Sequence, residues 1–333
     1  MVRHIASNAI TLLIVLMLML GGVIAWGAAQ MKVAGEFSED AVFVVAAGDR
    51  LKAVSERLEA QGLISNGRIF RIAARYGGDD RKLKFGEYKV PAHASMKDIL
   101  GLVTSGRALA YQVTVPEGLT SWQIVQLLNV ELLLSGEITD IPPEGWLAPD
   151  TYSISKGDSR QSVLTRMADA QRKILSEAWS LRAEGLPLNT PEEALTLASI
   201  IEKETGLVAE RKLVASVFIN RLNRGMRLQT DPTVVYGITM GKGPLGRGLR
   251  ASELRGKTDY NTYLIDGLPP TPIANPGKAS IEAALNPEDS KFVFFVADGT
   301  GGHAFSQTID EHNKNVRAWR KIEAEKKAGA SGD

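Results

Sequence analysis

The stretch Thr190-Pro191-Glu192-Glu193-Ala194-Leu195-Thr196-Leu197-Ala198-Ser199-Ile200-Ile201-Glu202-Lys203-Glu204-Thr205-Gly206 reads as a helix with a start, a body and a stop. Thr190 suits the N-cap and Pro191 the first helical position. Glu192 and Glu193 place negative charge at the positive end of the helix dipole. Gly206 offers a residue for a left-handed C′ position. At about 100° per residue the apolar stripe centres on Ala194, Ile201 and Thr205. Lys203 then points away, and Glu202 and Glu204 lie on opposite flanks. A carboxyl at the edge of an apolar stripe loses hydration in its charged form. Its pKa rises from about 4.3 toward the range of a general acid near neutral pH. The spacing allows either glutamate that role, and equally allows both to be surface residues beside Lys203.

Working outward, a helix at about 158–185 precedes this one, and another at about 209–224 carries Val214, Val217, Phe218 and Leu222. A strand at 292–296 and a final helix at about 308–327, with a Lys-rich end, follow. The stretch 226–280 is loop-rich and holds many Pro and Gly residues, and long irregular segments in a folded domain are usually functional. Gln229, Asp231, Tyr260 and Asn261 fall in it. Amides, hydroxyls and aromatic faces with little net charge suit sugar recognition. The prolines Pro269, Pro270 and Pro276 read as braces.

Toward the amino terminus, no charged residue occurs from Ile5 to Met31. A helix of about 20 apolar residues covers a bilayer core. We read 9–29 as a transmembrane signal anchor with a cytoplasmic stub at 1–8. Gly27-Ala28-Ala29 keeps a cleaved signal peptide as the alternative. Arg3 and the amino terminus precede the run, while Glu36, Glu39 and Asp40 follow soon after Lys32, so the positive-inside rule favours an exported body. Residues 30–41 read as a polar linker. Beyond it, Val45-Ala46-Ala47-Gly48, Val90-Pro91-Ala92-His93 and Val115-Pro116-Glu117-Gly118 each lead into an apolar helical pattern. With strands at 42–46, 84–90 and 109–115 and a helix at 66–76, these repeats are expected to share one core. Val45-x-x-Gly48-Asp49-x-Leu51 resembles the opening of LysM domains, which makes this region a glycan-binding module or else a spacer.

The Pro- and Gly-rich loop Ile141–Tyr152 is a candidate boundary. The division adopted is a LysM-like α+β subdomain at 42–110, a mixed α/β catalytic domain at 111–325 and a flexible tail at 326–333. The fold class is α+β behind one transmembrane helix. Composition narrows the chemistry further. The chain has no Cys, which excludes a disulfide scaffold, a zinc-thiolate site and a Cys nucleophile. Its net charge of +1 gives no case for nucleic-acid binding. His4, His93, His303 and His312 show no metal-ligand spacing, so neither a metal nor a cofactor is expected.

Six ordered motifs carry a resemblance. They are Leu197-Ala198-Ser199-Ile200-Ile201-Glu202-Lys203-Glu204-Thr205, Val217-Phe218-Ile219-Asn220-Arg221-Leu222, Gly225-Met226-Arg227-Leu228-Gln229-Thr230-Asp231-Pro232-Thr233, Tyr260-Asn261-Thr262-Tyr263, the loop Gly267–Gly277, and Phe295-Val296-Ala297-Asp298-Gly299 with Gly301-Gly302-His303-Ala304-Phe305. Together they closely resemble the MltG (YceG-like) family of membrane-bound endolytic murein transglycosylases, strongly over about 144–320 and more loosely over 40–110. The resemblance implies a lyase that cuts nascent peptidoglycan strands between N-acetylmuramic acid and N-acetylglucosamine, leaving 1,6-anhydro-muramyl ends. It places the essential glutamate on Glu204. It also implies a single-pass inner-membrane protein with its catalytic domain in the periplasm, working beside peptidoglycan synthases. Gln229, Asp231, Tyr260 and Asn261 are the expected substrate-binding residues. Asp231 is also the best candidate for the second carboxylate that a muramidase-type hydrolase would need. A non-catalytic peptidoglycan-binding protein is the remaining alternative.

Overall fold

The computed structural model describes residues 2–330. The chain forms two compact units: the residues up to Tyr111 together with Ser153–Asp158, and the described remainder.

The first unit contains α1 (Val2–Gln30), β1 (Ala41–Val45), α2 (Leu51–Ala60), α3 (Gly67–Tyr76), β2 (Gly86–Val90) and α4 (Met96–Ser105). β1 and β2 pair antiparallel, with Phe43 opposite Tyr88. Alternation along β1 buries Phe43 and Val45 and exposes Val42 and Val44. The buried residues meet Leu58, Phe70 and Ile99 from the helices. Local signals set the helix starts. The Asn66 side chain accepts from the Arg68 and Ile69 N–H groups, and Ser95 with Asp98 forms a capping box. The return segment at 153–158 is held by the Lys156–Glu87 ion pair at 2.6 Å. Tyr111 also donates to Glu87, at 2.6 Å, and together these partners, Lys156 first, hold the Glu87 carboxyl below the usual range.

Within α1, the apolar stretch Ile10–Gln30 has 21 residues, enough by length and composition to cross a bilayer. The expected stub at 1–8 forms, from Val2, the first turns of this helix, and Met1 lies outside the described residues. The expected linker at 30–41 is corrected. Met31 is buried in the first unit's core, and its carbonyl accepts the Lys97 N–H at 2.8 Å. Gly35 N–H reaches the His93 carbonyl at 3.1 Å, and Asp40 pairs with Lys89 at 2.9 Å. The segment is therefore tied down along its length.

The second unit holds β3 (Tyr111–Thr114, from Gln112), α5 (Ser121–Val130), the start of β4 (Thr151–Ile154), α6 (Arg160–Ser180), α7 (Pro191–Glu204), α8 (Arg211–Asn223), α9 (Asp231–Thr239), α10 (Ala251–Leu254), α11 (Lys278–Leu285), β5 (Phe294–Ala297), β6 (His303–Ser306) and α12 (Ile309–Ala330). The third strand-turn-helix repeat thus does not share the first core, which ends at Val103. α5 buries Ile124 and Leu128 within the second unit instead. β5 and β6 form an antiparallel hairpin with Val296 opposite Ala304. α12 runs to Ala330, so the tail expected at 326–333 begins inside a helix, and residues 331–333 lie outside those described.

α7 is the axis of this unit. Thr190 caps it by accepting the Glu193 N–H at 3.2 Å, with Pro191 following as expected. Its body is not a one-sided stripe, because every residue from Ala194 to Ile201 is buried. α6, α8, α9 and α11 all pack against it, so its middle is enclosed and its first and last turns emerge. Polar groups on such a helix must be paired. Ser199, fully buried, accepts the Ile273 N–H at 3.0 Å and donates to the Thr196 carbonyl at 2.7 Å. The loop 272–277 is braced the same way by Asn275. The Asn275 Oδ1 accepts the Leu147 N–H at 2.9 Å, and its Nδ2 donates to the Leu119 carbonyl at 3.0 Å and to Glu144 at 3.1 Å.

Asn275→Ala strands the buried Leu147 N–H and removes one of two donors from the Leu119 carbonyl, which keeps the residue 275 N–H, and from Glu144, which keeps the Ser121 N–H. Leaving a buried donor unpaired costs about 1–3 kcal/mol. We expect a net loss of about 2 kcal/mol. Urea unfolding followed by tryptophan fluorescence measures it, and an unchanged midpoint would contradict the bracing role.

Candidate active site

The last turn of α7 carries the two glutamates that spacing could not tell apart, and their surroundings separate them. The Glu202 side chain is 5% exposed and faces Arg211 at 3.0 Å. Its other oxygen accepts the Gly277 N–H at 2.9 Å. Arg211 also holds Glu117 at 2.9 Å. A Cβ at Gly277 would push the Glu117 carboxylate out of this meeting of loop, arginine and two acids. Glu202 is thereby committed to an ion pair, and Lys203 donates to the Gly118 carbonyl at 3.1 Å.

Glu204, the last helical residue, is half-buried. Among the described residues it has no cation in salt-bridge contact; its direct partner is the Thr230 hydroxyl. Burial raises the Glu204 carboxyl above its ordinary value. The Thr230 hydrogen bond works against that, the charge of Asp231 adds to it, and His303 and Arg221 oppose it, with burial winning. The carbonyl end of α7 acts in the same direction as burial, because it disfavours negative charge. The helix ends without the expected glycine cap. Thr205 is already extended at φ −140°, and the Thr205 Oγ1 accepts the Leu207 N–H at 3.1 Å.

Thr230 stands at the N-cap position of α9, yet its side chain makes no cap bond. The hydroxyl is turned to Glu204 instead. Its backbone is fixed by Thr262 and Thr233: Thr230 N–H reaches the Thr262 Oγ1 at 3.1 Å, and Thr233 Oγ1 donates to the Thr230 carbonyl at 2.8 Å. Arg221, buried on α8, clamps the approach to Thr230. Its guanidinium donates to the carbonyls of Val293 at 2.6 Å, Arg227 at 3.0 Å and Leu228 at 2.9 Å. It also lies 5.2 Å from the Phe294 ring centroid.

Gln229 is exposed and sits at φ 52°, a left-handed conformation that non-glycine residues seldom adopt and that clusters at functional sites. Arg221 can only donate, so the Gln229 atom 3.3 Å from it is the amide oxygen. Asp231 is exposed and accepts from the Tyr263 hydroxyl at 2.7 Å. Burial, and then Asp231, push the Tyr263 phenol well above its usual value. On the remaining side, the His303 Nδ1 lies 2.7 Å from Glu210, whose other oxygen accepts the His303 N–H at 3.0 Å. Gly302 has no Cβ to block this carboxylate.

Of the residues expected from sequence, Glu204, Gln229 and Asp231 are brought together around the 229–231 segment. Tyr260 and Asn261 form no hydrogen bond to that group. Tyr260 packs on Tyr236 with centroids 4.9 Å apart and bonds to Thr271 at 2.8 Å. Tyr236 in turn bonds to Glu144 at 3.2 Å, and burial raises the Glu144 carboxyl. Asn261 is fully buried, with its NH2 on the Leu254 and Gly256 carbonyls at 3.1 and 2.7 Å and its oxygen on the Tyr263 N–H at 3.0 Å. That leaves Asn261 no free polar atom for a ligand, and its place is that of a loop brace. Thr230, Arg221, Tyr263 and His303 were not singled out from sequence. All four lie in the quoted motifs, which was the signal available. Among the described residues no cluster of three or more His, Asp or Glu side chains is placed to hold a metal ion. A hollow of about 440 Å³ lined by Trp146, Gln161 and Arg172 includes none of this cluster.

Residues 43–318 match the profile of the YceG-like family. An endolytic murein transglycosylase of Streptococcus pneumoniae (strain D39) is 30% identical over 318 residues, covering 81% of this chain and 56% of that protein. One of Bacillus subtilis is 29% identical over 329 residues, covering 89% of this chain and 90% of that protein. A YceG-like protein of Listeria monocytogenes with a crystal structure is 31% identical, covers 83% of this chain and 99% of its own, and superposes with a TM-score of 0.49. The chain therefore spans about half the length of its streptococcal relative and most of the Bacillus one. With the profile running across both compact units and the Glu204 cluster inside it, the chain belongs to the YceG-like family.

Proposed function

We propose that the chain is an endolytic peptidoglycan lytic transglycosylase in which Glu204 is first acid and then base. The observation that carries this reading is a half-buried carboxyl with a raised pKa, held by a hydroxyl rather than a cation. Protonated Glu204 gives its proton to the glycosidic oxygen between N-acetylmuramic acid and N-acetylglucosamine as the C1–O bond breaks. The carboxylate then takes the proton of the muramyl C6 hydroxyl as that oxygen bonds to C1. No water is consumed, and Glu204 returns to its starting state. The nucleophile belongs to the substrate itself, so its effective concentration is high.

The surrounding residues fit supporting roles. Gln229, with its oxygen on Arg221, has its amide NH2 as the donor for a sugar. Asp231 and Tyr263 act as one pair that shapes the field at Glu204. Tyr260 supplies an aromatic face, and Asn261 holds the loop that presents it. The activity names of the streptococcal and Bacillus relatives support the reaction class. We place the chain in the inner membrane through α1, with the second unit in the periplasm, working beside peptidoglycan synthases. The first unit is a LysM-like glycan-binding module in this reading, supported by Val45-x-x-Gly48-Asp49-x-Leu51 at the turn from β1 into α2.

Glu204→Gln keeps the size and loses the transferable proton. Cleavage of glycan strands should fall at least about 100-fold. Glu202→Gln should instead show its main effect in stability. The opposite pattern would move the catalytic role to Glu202. Mass analysis of the product termini separates anhydro ends from reducing ends by one water, and reducing ends would make the chain a hydrolase with Asp231 as its second carboxylate.

The pH profile tests the electrostatics. A raised pKa keeps the acid form to higher pH, so the rate should fall as pH climbs through that value. Asp231→Asn removes a charge that raises it, and the alkaline limb of kcat/KM should move to lower pH. Thr230→Val removes a bond that lowers it, and the limb should move to higher pH. Shifts in the same direction for both variants would exclude Glu204 as the titrating group.

A further inference from the structure

α3 has a face that the first unit does not use. Phe70 and Ala74 turn into the core, while Arg68, Ile72, Arg75 and Tyr76 are exposed on the other side, with Arg71 half-buried at the edge. Ile72 and Tyr76, one turn apart, are 68% and 96% exposed. Large apolar groups flanked by arginines on one helix face are the pattern of helices that lie in a headgroup layer. The charge around them is strongly one-sided. Residues 67–84 hold six Lys and Arg against two Asp, in a chain whose net charge is only +1.

The position of α1 supplies the occupant. α1 packs against α3, and there is no slack between the apolar helix and the unit. Gln30 ends the helix, and the next residue, Met31, is 7% exposed in the same core as Phe70. A unit joined without a tether to a membrane span must rest its adjoining surface on the bilayer. Tyrosine rings favour the interface, and arginine stems can lie along it with their heads in water.

We propose that the exposed face of α3, formed by Arg68, Ile72, Arg75 and Tyr76, docks on the anionic phospholipid headgroups of the membrane that α1 crosses. This inference rests on the reading of α1 as a retained anchor, and on nothing in the catalytic cluster. It makes the first unit a fixed platform on the membrane surface.

The chain has no Cys, so single-cysteine variants can carry one polarity-sensitive fluorophore each. The full chain is reconstituted into nanodiscs of phosphatidylcholine and phosphatidylglycerol that contain a headgroup-level nitroxide lipid. Labels are placed at Leu16→Cys, Ile72→Cys, Tyr76→Cys and, on the exposed side of α2, Lys52→Cys. Quenching at 72 and 76 should exceed that at 52. It should weaken in nanodiscs of phosphatidylcholine alone, and also on Arg68→Glu with Arg75→Glu, since each arginine near an anionic surface shifts docking roughly fivefold. If the emission at 16 reports an apolar surrounding while quenching at 72 and 76 matches that at 52, docking is refuted and the anchor stands. If the emission at 16 reports water, α1 does not insert and both ideas fall. Glycan cleavage measured on the same samples reports separately on the catalytic reading.

Discussion

The hydroxyl of Thr230 resting on the carboxyl of Glu204 is the contact on which the site depends. A carboxylate in a poorly hydrated position needs a partner, and the identity of that partner decides its chemistry. An arginine there would fix the charged form. A single hydroxyl satisfies one oxygen and leaves the group able to hold or release a proton. The rest of the second unit serves to keep that pair in place. The middle of α7 is enclosed, so that its final turn emerges beside α9, and Arg221 with Thr262 and Thr233 immobilises the backbone that presents Thr230.

Glu202 and Glu204 illustrate how environment, and not residue type, assigns roles. Two positions apart on one turn, they face different elements. Glu202 meets Arg211 and the Gly277 N–H, and so ties α7 to α8 and to the loop that leads into α11. Glu204 meets the start of α9 and feels Asp231, His303 and Arg221, whose charges pull its proton affinity in opposite directions. The first glutamate is a fastener, and the second keeps its proton to higher pH than an ordinary carboxyl.

Legibility varied with how local the cause of each feature was. α7, with its Thr cap and Pro at N1, and α3, with its one-sided pattern, could be read directly because their signals lie within a few residues. The hairpin strand β6 and helix α9 were missed. β6 is a four-residue strand behind Gly301-Gly302, and α9 opens Asp231-Pro232 and continues with Thr233, Val234 and Val235, residues of modest helix propensity. The linker at 30–41 looked free because it is polar, but its bonds run to His93, Lys97 and Lys89, far along the chain. Asn261 looked like a ligand-facing amide, and three backbone partners in its own loop consume it.

By itself the amino-acid sequence determined the apolar amino-terminal helix and the order of most elements, because these follow from hydropathy, caps and periodicity along the chain, while Glu204 was marked over Glu202 by the family resemblance alone. Only the tertiary structure decided which of two neighbouring acids meets an arginine and which meets a hydroxyl. It also decided which of the polar loop residues surround that acid. The physical reason is that a carboxyl's proton affinity is set by what lies within a few ångströms in space, and here those groups come from α7, α8, the start of α9 and the hairpin strand at His303.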